Sequence, residues 1–186
     1  MRKTAFVSLW ISALSFYGFT LNGQITTGKQ KLEAFKKQEG LLAGSPYKNL
    51  DWRLIGPDKT SGRSTDVVGI TGQPDTLFAA FATGGLWKTT DRGNHWQPLF
   101  DQQATLSIGD IALAPSDHNI LYVGTGEANI FRASLPGIGI YKTTDGGKTF
   151  KHLGLENTGT IARIVIHPQN PNIAYVAASG NEWTYN

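Results

Sequence analysis

A turn that occurs twice constrains the fold of this chain more than any other feature. KTTDRGNHW occupies residues 88–96 and KTTDGGKTF occupies residues 142–150. Around each copy, short apolar runs alternate with turns rich in Gly, Pro, Asp and Asn, a pattern that predicts β-strands. A chain that repeats both its strands and its turn chemistry in register indicates a repeat architecture rather than an ordinary sandwich of short strands.

Aligning the chain on itself gives three related blocks, which begin with TDVVGI (65–70), GDIALA (109–114) and ARIVIH (162–167). The spacing agrees between them, because Tyr122 and Tyr175 lie 53 residues apart and Asp91 and Asp145 lie 54 apart. In the second repeat the predicted strands are 108–114, 120–125, 138–143 and 149–153. Four strands in each repeat are typical of β-propeller blades. We therefore predict an all-β propeller fold with about two and a half blades.

The chain divides into three predicted regions. Residues 1–23 are a signal peptide, 24–49 a linker with a short amphipathic helix, and 50–186 the N-terminal part of a propeller. The blades are predicted at about 50–100, 105–155 and 160–186, the last incomplete. A linker helix of this kind is expected to rest on the domain, and binding a partner or a membrane surface is the alternative.

The first residues predict the location of the protein. A basic MRK start, an apolar run at 5–21 and a small residue at Gly23 are typical of a cleaved secretory signal, with an uncleaved anchor as the alternative. We expect a secreted, periplasmic or cell-surface protein without a membrane span after cleavage. Two and a half blades leave an unpaired edge, which predicts an N-terminal fragment of a longer protein. A short chain that assembles with its own copies is the alternative.

Charge and composition limit the classes of partner and cofactor that are expected. The formal net charge is +3, but from residue 49 onward ten Lys and Arg stand against twelve Asp and Glu. A nucleic-acid partner is therefore not expected, because the predicted propeller lacks a net basic charge. The chain has no Cys, and its four His residues show no metal-ligand spacing. We predict no metal and no cofactor.

The repeated turn follows the pattern Thr-x-Asp-x-Gly-x-x-aromatic. Asp accepts backbone N–H bonds within its own turn, Gly supplies a positive φ, and the aromatic is expected to pack between blades. A structural role is favoured over a catalytic one. The two copies consist of Thr89, Asp91, Gly93 and Trp96, and of Thr143, Asp145, Gly147 and Phe150.

This turn resembles the Asp-box, or bacterial neuraminidase repeat. Together with NLDWRLIGP, SGRSTD, GGLWKTT, GTGEAN and GIGIYKTTDGGKTF, it makes residues 46–186 similar to the secreted, bacterial sortilin-like and glycosyl-hydrolase-like propeller proteins. The resemblance implies a glycan-directed protein, with glycoside hydrolysis as one candidate activity. The alternatives are a sortilin-like propeller that binds peptides or proteins without catalysis, and a purely scaffolding role.

Three residues occupy the same predicted position on the innermost strands. Asp66, Asp110 and Arg163 each stand twelve residues before an aromatic of the second strand. A carboxylate pair beside a cation suits acid–base chemistry on a glycosidic bond, so Asp66 and Asp110 are the candidate catalytic residues. The alternative is a ring of ion pairs that stabilises the channel wall.

Candidate ligand-binding residues lie at the opposite end of the blades from the repeated turn. The long second-repeat loop at 126–137 supplies Glu127, Asn129 and Arg132, and Arg63 precedes the first inner strand. Arg63, Arg132 and Arg163 suit a carboxylate ligand, and Glu127 and Asn129 suit sugar hydroxyls or a metal ion. The alternative is that Glu127 and Arg132 satisfy their own loop.

One position weakens a hydrolase assignment. In the xyloglucanase-type propeller hydrolases, a catalytic Asp stands just before the residue that precedes the Gly-Gly of the first blade. The corresponding stretch here is FATGGLWKT, and the position is Ala82. That catalytic apparatus is therefore not carried over to this chain.

Overall fold

The structure, a computed structural model, describes residues 26–50, 62–129 and 134–180. These residues form one α-helix and ten β-strands, and every strand pairing is antiparallel. The predicted all-β class is therefore confirmed. The predicted signal peptide lies outside the described residues.

The strands form three separate sheets in which neighbours in sequence are neighbours in space. The first sheet contains β1 (Ser64–Ile70), β2 (Gln73–Phe81), β3 (Gly85–Thr89) and β4 (Gln97–Pro98). The second contains β5 (Ile108–Leu113), β6 (Leu121–Thr125), β7 (Ile140–Thr143) and β8 (Lys151–Gly154). The third contains β9 (Ile161–Ile166) and β10 (Ala174–Ala178). The four strands predicted in the second repeat thus correspond to β5–β8.

Two apolar layers hold the sheets together. The layer between the first and second sheets is centred on fully buried side chains such as Phe78, Phe100 and Leu121. The layer between the second and third sheets contains Ile161 and Ile164. Burial of each such side chain contributes about 1.5–3 kcal/mol, so the sheets gain their stability by stacking face to face.

Helix α1 (Gly28–Gly44) precedes the sheets and begins at a capping box formed by Thr27 and Gln30. Its first half contacts the sheets, because Gly28 is buried and Leu32 packs against the first apolar layer. The second half carries Leu41 and Leu42, which are 67% and 57% exposed. The predicted helix is present, and only its N-terminal half rests on the domain.

The sheets have two distinct ends. At one end, which we call the turn end, Gly146 donates its backbone N–H to Asn119 O, which joins the β7–β8 turn to the β5–β6 turn. At the other, the loop end, Ala82 donates to Arg63 O and Gly126 donates to Ser107 O. The repeated Thr-x-Asp-x-Gly turns therefore lie at the turn end, and the β6–β7 loop lies at the loop end.

Candidate functional site

Asp66, Asp110 and Arg163 occupy one register position on the first strand of each sheet. Asp66 stands opposite Ala80, Asp110 opposite Gly124 and Arg163 opposite Ala177. We call these three residues the inner-strand cluster.

Each carboxylate of the cluster binds the backbone of the next sheet. Asp66 Oδ2 accepts the N–H of Ile111 on β5 at 3.3 Å, and Asp110 Oδ2 accepts the N–H of Ile164 on β9 at 2.6 Å. In both sheets the donor is the residue that follows the cluster position. A single contact type therefore joins the first sheet to the second and the second to the third.

The charges of the cluster are coupled. Burial raises the pKa of the Asp110 carboxyl, and the nearby Asp66 carboxylate raises it further, against the opposing effects of the Ile164 N–H and of Arg163. Arg163 Nη1 lies 3.4 Å from Asp110 Oδ1, a long contact, and its side chain is 68% exposed. The cluster thus combines a buried carboxyl whose pKa is raised with a guanidinium that faces solvent.

At the loop end, two predicted ligand-binding residues bind each other. Arg63 donates from Nε to Glu127 Oε1 at 2.8 Å and from Nη2 to Glu127 Oε2, so the pair is bidentate. The Glu127 side chain is fully buried, whereas that of Arg63 is 39% exposed. This ion pair links the segment before β1 to the loop after β6. It raises the pKa of the Arg63 guanidinium and keeps it charged.

The remaining loop residues are not brought into this pair. Asn129 is exposed, and its carbonyl oxygen accepts the hydroxyl of Ser134 within the loop at 3.1 Å. Arg132 lies outside the described residues. The loop is also held at its far side, because Ser107 Oγ donates to Leu135 O at 2.9 Å.

The repeated turns contain matching sets of hydrogen bonds. In the first turn, Thr89 Oγ1 donates to Asp91 Oδ1 at 2.8 Å and accepts the N–H of Gly93 at 2.9 Å. In the second, Thr143 Oγ1 donates to Asp145 Oδ1 at 2.7 Å and accepts the N–H of Gly147 at 3.0 Å. Gly93 and Gly147 have φ values of 87° and 96°, which other residues adopt only with strain.

Hydrogen bonds to the turn carboxylates also lower their pKa values. The backbone and side chain of His95, followed by Thr89, lower the pKa of Asp91 to about 2. Thr149 and Thr143 hold the pKa of Asp145 well below its usual range. Both carboxylates are fully engaged within their own turns and lie at the turn end, away from Glu127.

The two turn aromatics differ from each other. Phe150 packs against the first apolar layer and meets the Phe100 ring edge-to-face, with ring centroids 4.9 Å apart. Trp96 is 39% exposed, and its packing between blades stays a prediction. The difference is positional: Phe150 faces the first sheet, whereas no described sheet lies before the first one for Trp96 to contact.

Ala82 follows β2 and is fully buried, with its N–H bonded to Arg63 O at 2.8 Å. Its methyl side chain offers no acid or base at the position of the xyloglucanase-type carboxylate. A larger polar group there would have to enter a closed environment beside the Arg63 backbone.

The histidines have separate environments. His152 Nε2 lies 2.7 Å from Ile138 O, and its ring stacks edge-on against Tyr141. His167 Nδ1 accepts the N–H groups of Gln169 and Asn170 within its turn. In residues 26–50, 62–129 and 134–180, no three His, Asp or Glu side chains are placed to share a metal ion.

Helix α1, the one helix in those ranges, is not long and apolar enough to cross a membrane.

The sequence pattern by itself did not point to the lysines that cover the second strands. Lys88 Nζ lies 5.1 Å from the Phe78 ring centroid, and Lys142 Nζ lies 4.9 Å from that of Tyr122. The signal was present, because both lysines belong to the repeated KTT. It was not interpretable before the strand register placed each lysine opposite its aromatic.

Comparison with known proteins gives structural likenesses only. No family model matches the chain, and no curated protein sequence matches it. An ancestral GH74 enzyme is 19% identical with a TM-score of 0.49, over 61% of this chain and 16% of that enzyme. The Niastella koreensis GH74 enzyme is 25% identical with a TM-score of 0.46, over 59% of this chain and 16% of that enzyme. The GH74 xyloglucanase from Xanthomonas campestris is 19% identical with a TM-score of 0.46, over 63% of this chain and 18% of that enzyme. The matched region is thus less than a fifth of each of those chains.

Proposed function

We propose that this chain is part of a secreted β-propeller that binds glycans at the inner-strand cluster. The observation that carries the proposal is the shared register position of Asp66, Asp110 and Arg163 on three successive first strands. A ligand that crosses from the first sheet to the third would pass the partly exposed Asp66 and the exposed Arg163, with Asp110 buried between them. The sequence resemblance to glycosyl-hydrolase-like Asp-box proteins supports a glycan as that ligand.

The propeller itself is supported by the constant relation between sheets. Each first-strand carboxylate binds the backbone of the sheet that follows, at the same position in both cases. Repeating one rotation between units either closes a ring or builds an open helix, and four-stranded antiparallel meanders arranged in a ring form a propeller. In such a propeller the first strands line the central channel, so we expect the inner-strand cluster at the channel wall.

The chemistry of the cluster suits neutral or acidic sugars. A guanidinium donates hydrogen bonds to hydroxyl and carboxylate oxygens, and Arg163 has most of its side chain in solvent. Asp66 is partly exposed and can accept hydroxyl donors. The sortilin-like alternative uses the same exposed Arg163, which would then pair with a peptide carboxylate.

A second candidate, glycoside hydrolysis, is favoured by the environment of Asp110. A buried carboxyl with a raised pKa can act as a general acid, and a neighbouring carboxylate such as Asp66 can act as nucleophile or base. This assignment uses residues other than the one replaced by Ala82. Asp110 also accepts the backbone N–H of Ile164, so replacing it can disturb folding. A loss of activity in an Asp110 variant must therefore be separated from a loss of stability.

The test for glycan binding is a glycan and peptide panel probed with the purified protein. Arg163→Ala is expected to weaken binding roughly tenfold to a hundredfold, as removal of a charge-assisted hydrogen bond does. The matched control is Arg92→Ala, which removes an exposed arginine at the turn end and should leave glycan binding unchanged. Binding to peptides alone would replace the proposal with the sortilin-like alternative.

Hydrolysis is tested separately with Asp110→Asn, which removes the acid but leaves an oxygen that can accept the Ile164 N–H. An enzyme would lose activity while its denaturation midpoint stays close to that of the parent protein. Equal losses of activity and stability would assign Asp110 to structure alone.

Secretion is tested by the intact mass of the protein from its native source. A cleaved N-terminus near Gly23 is the expected result. Retention of Met1 on a membrane-associated protein would favour the uncleaved anchor.

A further inference from the structure

The first half of α1 docks on the sheets through one face of the helix. Gly28, Lys31 and Leu32 follow the spacing i, i+3 and i+4, which puts them on the same side. Gly28 is buried against the Glu156 carbonyl, where a Cβ would not fit, and Leu32 packs against the first apolar layer. Between them, Lys31 Nζ donates to Pro136 O at 3.2 Å. One face of the helix therefore makes both apolar and polar contacts with the sheets.

Lys31 is placed differently from the other lysines of α1. Lys29, Lys36 and Lys37 are exposed, whereas Lys31 is half-buried. Burial lowers the pKa of the Lys31 ammonium, because a charged group loses solvation inside a protein. A hydrogen bond from an ammonium to a carbonyl oxygen offsets part of that loss and is stronger than a bond between neutral groups. The ammonium is thus directed at the β6–β7 loop and not at solvent.

Pro136 belongs to the stretch that returns the β6–β7 loop to β7. The next residue, Gly137, donates its N–H to the Gly159 carbonyl at 2.6 Å. Gly159 lies in the connection from β8 to β9, which also contains Glu156. The first half of α1 therefore holds two segments of the loop end that are also bonded to each other.

The connection from β8 to β9 contains a strained residue. Leu155 has a φ of 62°, in the left-handed region that residues other than Gly rarely adopt. Such strain persists only where the surrounding structure fixes the backbone. Leu155 O accepts both the N–H and the hydroxyl of Thr158, and the neighbouring Glu156 is the residue on which Gly28 docks. Contacts from α1 and from within the connection thus fix this segment together.

The β6–β7 loop begins beside the inner-strand cluster. Strand β6 ends at Thr125, and Asp110 of the cluster stands opposite Gly124, the residue before that end. The same loop carries Glu127, which pairs with Arg63. Movement of the loop would therefore alter the surroundings of Asp110 as well as the Arg63–Glu127 pair.

We propose that Lys31 is a positioning residue that holds the β6–β7 loop in the arrangement used by the ligand site. Its hydrogen bond to Pro136 O fixes the returning end of the loop, and the Arg63–Glu127 pair fixes the starting end. A helix outside the three sheets thus sets the geometry of the loop end. The effect on ligand binding rests on the proposed glycan function, whereas the effect on the loop does not.

Hydrogen exchange of the whole chain without ligand tests the effect on the loop. Lys31→Met keeps an apolar stem and removes the donor, so residues 134–138 should exchange roughly fivefold to tenfold faster, as expected when one hydrogen bond is lost. Lys31→Arg keeps a charged donor and should restore the parent rate. Lys36→Met, which alters an exposed lysine of the same helix, is the control and should leave the rate unchanged.

Glycan affinity tests whether the position of the loop matters to the site. The probe is the member of the glycan panel that the parent protein binds most tightly. Lys31→Met is expected to raise its Kd roughly threefold to tenfold, as remote contacts that couple to a site do. Lys31→Arg should return the Kd to the parent value. This rescue separates positioning from packing, because Met and Arg both keep an apolar stem and only Arg donates. Circular dichroism checks that the variants keep the fold.

Three outcomes would overturn the positioning role. The first is unchanged exchange at residues 134–138 in Lys31→Met. The second is an equal rise at the turn end, around Gly146 and Gly147, which would indicate general destabilisation. The third is faster exchange in the loop with unchanged glycan affinity. A parent protein that binds no glycan would overturn the proposed function alone, because the exchange measurement still decides whether Lys31 holds the loop.

Discussion

The Asp110 carboxylate accepts the backbone N–H of Ile164 at 2.6 Å, across the boundary between the second and third sheets. Asp66 and Ile111 make the corresponding contact one sheet earlier. A side chain that was a candidate catalyst in the sequence is therefore also a connector between repeats. Any function assigned to these carboxylates has to be measured separately from this structural role.

We expect Asp110→Ala to lower the free energy of unfolding by about 1–3 kcal/mol, because the buried Ile164 N–H loses its acceptor. Asp110→Asn retains an acceptor oxygen and should cost less. Urea denaturation of both variants measures the difference. Equal destabilisation by Ala and Asn would mean that charge, rather than the Ile164 hydrogen bond, is what the site requires.

The turn carboxylates predict a loss of stability in acid. Asp91 has a pKa of about 2 in the folded protein against an ordinary value of 3.8. Its contribution to folding stability is therefore present above pH 3.8 and is lost as the pH falls toward 2. Asp145 acts in the same direction. Denaturation midpoints measured between about pH 5 and pH 2 should fall more steeply for the parent protein than for Asp91→Asn. Parallel curves would show that Asp91 does not contribute to this acid sensitivity.

Gly28 is expected to tolerate no side chain. A Cβ there would lie 1.6 Å from the Glu156 carbonyl oxygen, whereas a Cβ on Gly40 meets nothing within 4 Å. Gly28→Ala should therefore detach the first half of α1 and increase protease cleavage within it. Gly40→Ala is the control in the same helix, and it should stabilise the helix by roughly 0.5–1 kcal/mol. Similar proteolysis of the two variants would contradict the observed docking of Gly28.

The Arg63–Glu127 pair predicts strong coupling between two loop-end segments. Arg63→Met leaves the buried Glu127 carboxylate without this partner. Removing one partner of a fully buried ion pair lowers the free energy of unfolding by about 3–5 kcal/mol. Because the Arg63 side chain is 39% exposed, we expect a smaller loss, about 1–3 kcal/mol. The double variant Arg63→Met with Glu127→Gln should recover part of it. Additive losses in this double-mutant cycle would mean that the two side chains do not interact.

Much of the fold could be predicted because strand propensity and turn chemistry are local properties. The apolar runs, the Gly and Asp positions and the second-repeat strands were visible in the sequence, and the structure places β5–β8 within about two residues of them. The register position shared by Asp66, Asp110 and Arg163 also followed from counting. The packing of Trp96 does not follow in this way, because its burial depends on whether another sheet faces it.

The sequence alone determined which residues turn, which extend and which repeat, since these depend on backbone preferences and on side chains within a few residues. Only the tertiary structure decided what the polar candidates contact. It paired Glu127 with Arg63 and directed Asp66 and Asp110 toward the next sheet. The physical reason is that these contacts join segments about 45 to 65 residues apart, whose distance in space is set by sheet stacking.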